Sequence, residues 1–154
     1  MRAIELMSRN PAICTPETAI ERAAQLMDAH DCGCLPVVET GTGRVVGVVT
    51  DRDIAVRAVA NGRMPQSWVR DVMSSDPSCC SPADDVETVQ RIMADRQVRR
   101  VPVVDEQGYC IGIIAQADLA LHHLPDRELA RTVERISRPS ITSRREAILG
   151  VQPG

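Results

Sequence analysis

The chain predicts an α/β fold in which two β-α-β-β-α repeats pack with pseudo-two-fold symmetry into one module, and three observations carry that prediction. The first is an internal duplication: Met7, Pro11, Pro16, Met27 and Pro36 return as Met73, Pro77, Pro82, Met93 and Pro102, each displaced by 66 positions. The second is a step in that displacement, to 65, so that Gly47 pairs with Gly112 and Asp53 with Asp118. A shorter turn in the second copy, residues 105–108 against 39–44, absorbs the difference. The third is an alternation of helically spaced apolar residues with short β-branched runs, the pattern of sheets backed by helices. A unit of this length is too long for a solenoid repeat and too short for a comfortable separate domain. The two copies are therefore expected to share a core and to leave a pseudo-two-fold cleft, where function should lie.

Each element has its own signal. Ile13-Cys14-Thr15 is expected to supply a short strand. Thr18-Ala19-Ile20-Glu21 reads as a capping box opening a helix, with Ile20, Ala23, Ala24 and Met27 on one face and an end near residues 30–33. Leu35-Pro36-Val37-Val38-Glu39 and Arg44-Val45-Val46-Gly47-Val48-Val49 form a hairpin. Thr50-Asp51-Arg52-Asp53 opens a second helix carrying Ile54, Val56 and Val59. The second copy follows suit: Val86, Val89, Gln90 and Met93 on a helix, Val101-Pro102-Val103-Val104 and Cys110-Ile111-Gly112-Ile113-Ile114 as a hairpin, then Asp118, Leu119 and Leu121. After Leu124-Pro125, Leu129, Val133 and Ile136 mark a further helix, ended by Arg138-Pro139. The expected boundaries are 1–60 for the first repeat, 61–71 for a linker broken by Asn61-Gly62 and Pro65, 72–124 for the second repeat, and 125–154 for a C-terminal helix and loosely ordered tail.

Composition narrows the chemistry. The chain is 44% hydrophobic, but Trp68 and Tyr109 are its only aromatics, so a bound base would sit between aliphatic side chains. A net charge of −3 argues against nucleic-acid binding, and the basic stretch 91–100 is interrupted by Asp95, as on a solvated helix face. No apolar run approaches a membrane span and Met1-Arg2-Ala3-Ile4-Glu5 does not begin a signal peptide, so a cytoplasmic protein is expected. Cys14, Cys32, Cys34, Cys79, Cys80 and Cys110 include no C-x-x-C pair, which reads as small buried hydrophobes in a reducing compartment. The alternative is a redox- or metal-responsive interaction module using Cys32-Gly33-Cys34, or His30 with His122-His123, although adjacent helical histidines point in different directions. There is no nucleophile–base pair and no Gly-rich phosphate loop, hence no enzyme is expected.

Thr50-x-x-Asp53 has two readings. Thr at the N-cap and Asp at N3 satisfy free N–H groups, worth about 1 kcal/mol. The same helix start attracts phosphate, the Thr50 hydroxyl adds a donor, and Asp53 can accept from both ribose hydroxyls. The two roles can coexist.

Several motifs together resemble the CBS-domain family: Gly47-Val48-Val49-Thr50-Asp51-Arg52-Asp53-Ile54, Met-x-x-x-Pro near each repeat's start, Leu/Val-Pro-Val-Val in each second strand, and Gly-x-x-x-x-x-Asp at each last helix. The tandem arrangement resembles a Bateman module over residues 1–124, and Thr50-Asp51-Arg52-Asp53-Ile54, Gln97-Val98-Arg99-Arg100-Val101-Pro102-Val103 and Leu124-Pro125 resemble small stand-alone bacterial CBS-pair proteins of the hypoxic-response type. The resemblance implies a CBS pair that binds an adenosine ligand (AMP, ADP or ATP, sometimes NAD or S-adenosylmethionine). It further implies no catalysis, a homodimer formed through helices, and an effector protein that the sequence does not identify. Carried over by position, Cys14 and Thr15 edge the base, Cys34, Leu35 and Pro36 supply backbone and apolar walls, and Thr50 and Asp53 take phosphate and ribose. In the second copy Cys80, Ser81, Arg100, Val101 and Pro102 form the walls beside Asp118, but Ala115 stands where Thr50 stands, so that hydroxyl is missing.

Overall fold

The computed structural model describes residues 1–122 and 126–137. Two antiparallel hairpins form as their β-branched sequences require: β2 (Cys34–Val38) with β3 (Val45–Thr50), and β5 (Arg100–Val104) with β6 (Cys110–Ala115). Both carry the same irregularity, at Val37/Val38 and Val103/Val104, so the duplication reaches the level of register. Behind the first hairpin lie α2 (Ile20–Ala29) and α3 (Asp51–Asp53), the latter continuing as a π-helical turn over Ile54–Ala58 and a 3-10 turn over Val59–Asn61. Behind the second lie α4 (Val86–Arg96), α5 (Gln116–Leu121) and α6 (Asp126–Ser137). No helix among the described residues is long and apolar enough to cross a membrane.

The third strand of each sheet comes from the other repeat. The N-terminal arm, a short helix α1 (Ala3–Leu6) followed by β1 (Ser8–Arg9), adds to β6, whereas β4 (Ser74–Ser75), which follows a 3-10 turn at Val69–Asp71, adds to β3. The arms dock in equivalent ways. The amides of Ala3 and Ile4 donate to the carbonyls of Asp84 and Pro82, and those of Val69 and Arg70 donate to Thr18 and Pro16. Each core is consequently built across the repeats: Ala3, Leu6 and Met7 pack with Val86, Val101 and Ile114, while Val69 and Val72 pack with Ile20, Leu35 and Val49.

Gly47 and Gly112 make the docking possible. A Cβ on Gly112 would lie 2.5 Å from Met7 Sδ and 2.8 Å from its Cγ; one on Gly47 would lie 2.7 Å from the Ser74 carbonyl oxygen and 3.0 Å from Met73 Sδ. The two recurring methionines and the two recurring glycines are thus a single device, a long flexible side chain laid on bare backbone of the opposite repeat.

Other expectations are revised by the same exchange. Thr18 does not cap α2: its Oγ1 accepts from the Thr15 amide at 2.9 Å, and the N-cap is Ala19. The first amides of α2 go to the chain between the repeats, Ile20 to the Ser67 carbonyl at 2.9 Å and Glu21 to Pro65 at 3.0 Å. Of Ile13-Cys14-Thr15 only Cys14 pairs, in one parallel bridge to Val37. Val56 and Val59 are 47% and 72% exposed on the π-helical and 3-10 turns that continue α3, whereas Ile54 packs against the core. Val86, Val89, Gln90 and Met93 are buried as expected, and α6 covers this side with Ile136. Leu124-Pro125, Arg138-Pro139 and the tail lie outside the described residues.

Overpacking at such a contact costs about 1–3 kcal/mol, so Gly112→Ala should lower the urea-unfolding free energy by that amount. Combined with Met7→Ala, which removes the clashing atoms, the loss should fall short of the sum of the single losses by more than about 0.5 kcal/mol. Additive losses would show that Met7 and Gly112 do not meet.

Candidate functional site

The two hairpin tips touch. Arg44 and Tyr109, equivalent positions, form an antiparallel bridge, the Val45 amide donates to the Gly108 carbonyl at 3.0 Å, and Arg44 Nε donates to the Gln107 carbonyl at 2.8 Å. Equivalent residues in contact straddle the pseudo-two-fold axis, which therefore passes between the two hairpin tips.

At the repeat-one end, β3 runs into α3 through a reciprocal box. Thr50 Oγ1 accepts from the Asp53 amide at 3.1 Å, and Asp53 Oδ2 accepts from the Thr50 amide at 3.0 Å. Strand register sets Thr50 opposite Cys34, which brings the expected ribose–phosphate residues beside the expected base wall. Asp53, its side chain 15% exposed, has Arg57 Nε at 3.7 Å from Oδ1, and Arg57 Nη1 also donates to the carbonyls of Val72 and Met73 at 3.2 Å. Oδ1 therefore accepts no close hydrogen bond. Asp51 lies against Gly33, where a Cβ would come within 2.8 Å of Oδ2, and the Asp51 amide donates to the Gly33 carbonyl at 3.0 Å. Sequence reasoning passed over Gly33, Asp51 and Arg57; the i,i+4 spacing of Asp53 and Arg57 was the available signal for the last.

The repeat-two end keeps half of the box. Asp118 Oδ2 accepts from the Ala115 amide at 2.7 Å, and α5 starts with no side-chain cap. Ala115 pairs with Arg100 and the Gln116 amide donates to the Arg99 carbonyl at 2.8 Å.

The remaining expected residues divide by face. Cys14, Leu35, Cys80 and Val101 belong to the helix-side cores, at 4%, 0%, 3% and 0% exposure, which leaves their backbone to face a ligand. Cys14 already uses its amide on Pro36 and its carbonyl on Val38. Cys34, Pro36, Arg100 and Pro102 alternate onto the other strand face. Thr15 is half-buried with its hydroxyl 3.2 Å from that of Thr18, and Ser81 is exposed with its amide donating to Asp84. A hollow of about 360 Å³ between residues 77–79 and α4 at Thr88 and Arg91 shares none of the expected residues.

Burial pushes the thiols of Cys14, Cys34 and Cys80 up to about 12. At Cys34 the nearby Arg100 works against burial, and Cys32, Asp53 and Asp51 work with it. No group of three or more His, Cys, Asp or Glu among the described residues is arranged to hold a metal. Cys32-Gly33-Cys34 and His30 do not form one, and His123 is outside the described residues.

The sequence pattern of the CBS domain matches residues 3–59 and 69–123. The CBS domain-containing protein YhcV of Bacillus subtilis is 37% identical over 137 residues, 89% of this chain and 96% of that protein. Hypoxic response protein 1 of Mycobacterium tuberculosis is 31% identical over 138 residues, 89% of this chain and 94% of its own length. The crystal structure of Hypoxic Response Protein I with two coordinated zinc ions superposes with a TM-score of 0.73 at 30% identity, covering 81% of this chain and all of that one. The crystal structure of CBSX2 in complex with AMP has the same fold, with a TM-score of 0.69 at 24% identity over 79% of this chain and 94% of that one.

The thiol shifts have a sign. A thiol protonated in the folded state to about pH 12 but ionising near 8.5 when unfolded contributes its full stability below pH 8.5 and loses it as pH rises toward 12. The slope is about 1.4 kcal/mol per pH unit for each such thiol, and the chain has no lysine to obscure it. Unfolding free energy should therefore fall between about pH 9 and 11, and less steeply for Cys14→Ala/Cys80→Ala; equal slopes would contradict the burial account.

Proposed function

Because this chain belongs to the CBS-domain family and carries two of its repeats, we propose that it is a regulatory module that binds an adenosine nucleotide (AMP, ADP or ATP) at the repeat-one end of the cleft and performs no catalysis itself. The observation that carries this reading is the Thr50–Asp53 box set opposite Cys34. Its cap bonds use one lone pair each on Thr50 Oγ1 and Asp53 Oδ2, leaving the hydroxyl proton for phosphate and Oδ1 for the ribose hydroxyls. The fold alone does not call for that hydroxyl, since α5 begins without one. Aliphatic walls and backbone groups suit an adenine in a chain with two aromatics, and the AMP carried by CBSX2, a protein of the same fold, is a ligand of this class. NAD and S-adenosylmethionine share the adenosine half and are the alternatives for the same walls. The ligand's occupancy would be read by a separate effector protein.

The redox- or metal-responsive reading has less behind it, because burial holds three thiols protonated and no ligand cluster forms among the described residues.

Asp53→Ala should weaken AMP binding at least tenfold by calorimetry while the protein stays folded. Thr50→Ala should cost about 1.5–3 kcal/mol for a hydrogen bond to a charged phosphate, and Ala115→Thr should strengthen the repeat-two end. Two equivalent sites insensitive to all three changes would refute the assignment.

A homodimer closed by a two-fold axis belongs to this proposal. Val56 and Leu121, equivalent positions on the last helices, are 47% and 74% exposed, and Val59 and Met64, a few residues after Val56, are 72% and 65% exposed. Light scattering should report a dimer at micromolar concentration and a monomer for Val59→Glu; a wild-type monomer at high micromolar concentration would count against it.

A further inference from the structure

The stretch after each repeat's last helix takes a different course in the two copies. In repeat one it is the connector of residues 61–71, which leads to the 3-10 turn at Val69–Asp71. In repeat two it is α6, which lies on α4 and closes the outer side of that core with Ile136. Burial at equivalent positions of α2 and α4 records the difference. Ala24 and Asp28 on α2 are exposed, whereas their counterparts Gln90 and Ala94 on α4 are 8% and 7% exposed. α6 is thus a cover that repeat one does without, and α2 shows that the fold forms with this helix face open.

The cover is lightly fastened. Leu129 and Ile136 carry its apolar contact with the core, and Arg135 is ion-paired with Asp95 of α4, both side chains about half exposed. An ion pair so open to water adds little. The buried polar side chains among the described residues are Gln90 on α4 and Thr132 on α6, and they do not bond one another. Thr132 donates its hydroxyl to the Glu128 carbonyl of its own helix at 3.0 Å, and Gln90 Nε2 has no hydrogen-bond partner. An amide that is buried unpaired under the closed helix regains water when the helix leaves, so closure carries a cost that an apolar residue at position 90 would not impose.

We propose that α6 is a detachable cover: it opens as a unit, with both repeats intact, and switches the outer face of α4 between a buried state and one as open as that of α2. Opening exposes Gln90 and Ala94 and lets the Gln90 amide bond to water. It does not involve the helix starts at Thr50 and Ala115, so the device stands independently of the nucleotide reading given above. What it controls is access to α4.

The test is native-state hydrogen exchange of the full chain at low urea concentrations. The amides of residues 131–135 should exchange through one shared opening, whose urea dependence is measurable but well below that shared by β5 and β6. Gln90→Met, which fills similar space without an amide, should slow that exchange about fivefold or more. Ile136→Ala, which removes the apolar anchor, should speed it about tenfold or more. A urea dependence equal to that of β5 and β6 would make α6 an integral part of the repeat-two core, and one near zero would reduce the exchange to fraying of single turns; either overturns the proposal. An unchanged rate in either variant overturns it as well, because the unpaired amide or the Ile136 anchor would then not set the balance between closed and open.

Discussion

Everything in this molecule depends on two methionines lying on two glycines of the opposite repeat. Met7 lies on Gly112, and Met73 with the Ser74 carbonyl lies on Gly47, so closely that a Cβ at either glycine would force a shift. With the arms exchanged, neither repeat owns a complete sheet or core. The hydrophobic stabilisation of one copy therefore requires the other, consistent with a unit too small to bury enough surface by itself. The exchange also ties the two hairpins to one another, with their tips in contact at Arg44 and Tyr109.

The chemistry of the cleft follows from how duplicated positions have diverged. Both repeats keep the aspartate that reaches back to the strand amide, so both helix starts are formed. Only repeat one keeps the hydroxyl, and only repeat two has arginines where the first has Gly33 and Cys34. The two helix starts are therefore alike in their carboxylate and unlike in the polar groups beside it. The cysteines, so prominent in the sequence, serve mainly as small apolar residues: Cys14 and Cys80 complete the edge of each hairpin by a single bridge and fill the core behind it.

What the sequence made legible was whatever is local or repeated. The 66-residue displacement, the hairpins, the Thr50–Asp53 box and the 129/133/136 stripe of α6 all rest on spacing within one element or on identity between two. What it hid is non-local. Two-residue strands such as Ser8–Arg9 carry no periodicity, so nothing announced that they pair with the distant copy. The arms are equivalent in structure while their sequences, Met1-Arg2-Ala3-Ile4 and Ser67-Trp68-Val69-Arg70, hardly agree. Thr18 looked like a cap because the residues that satisfy α2 come from the chain near Ser67, about fifty positions further on. Within the candidate site, spacing picked out the Thr50–Asp53 box but could not tell which strand face Leu35 and Val101 occupy.

Hydrogen–deuterium exchange with and without AMP tests the central claim of a ligand site at the start of α3 most directly, because it reads every segment at once. The account predicts AMP-dependent protection concentrated in residues 33–36 and 50–54 of repeat one. No protection in those two stretches, or protection that appears instead around residues 77–79 and α4, would contradict it.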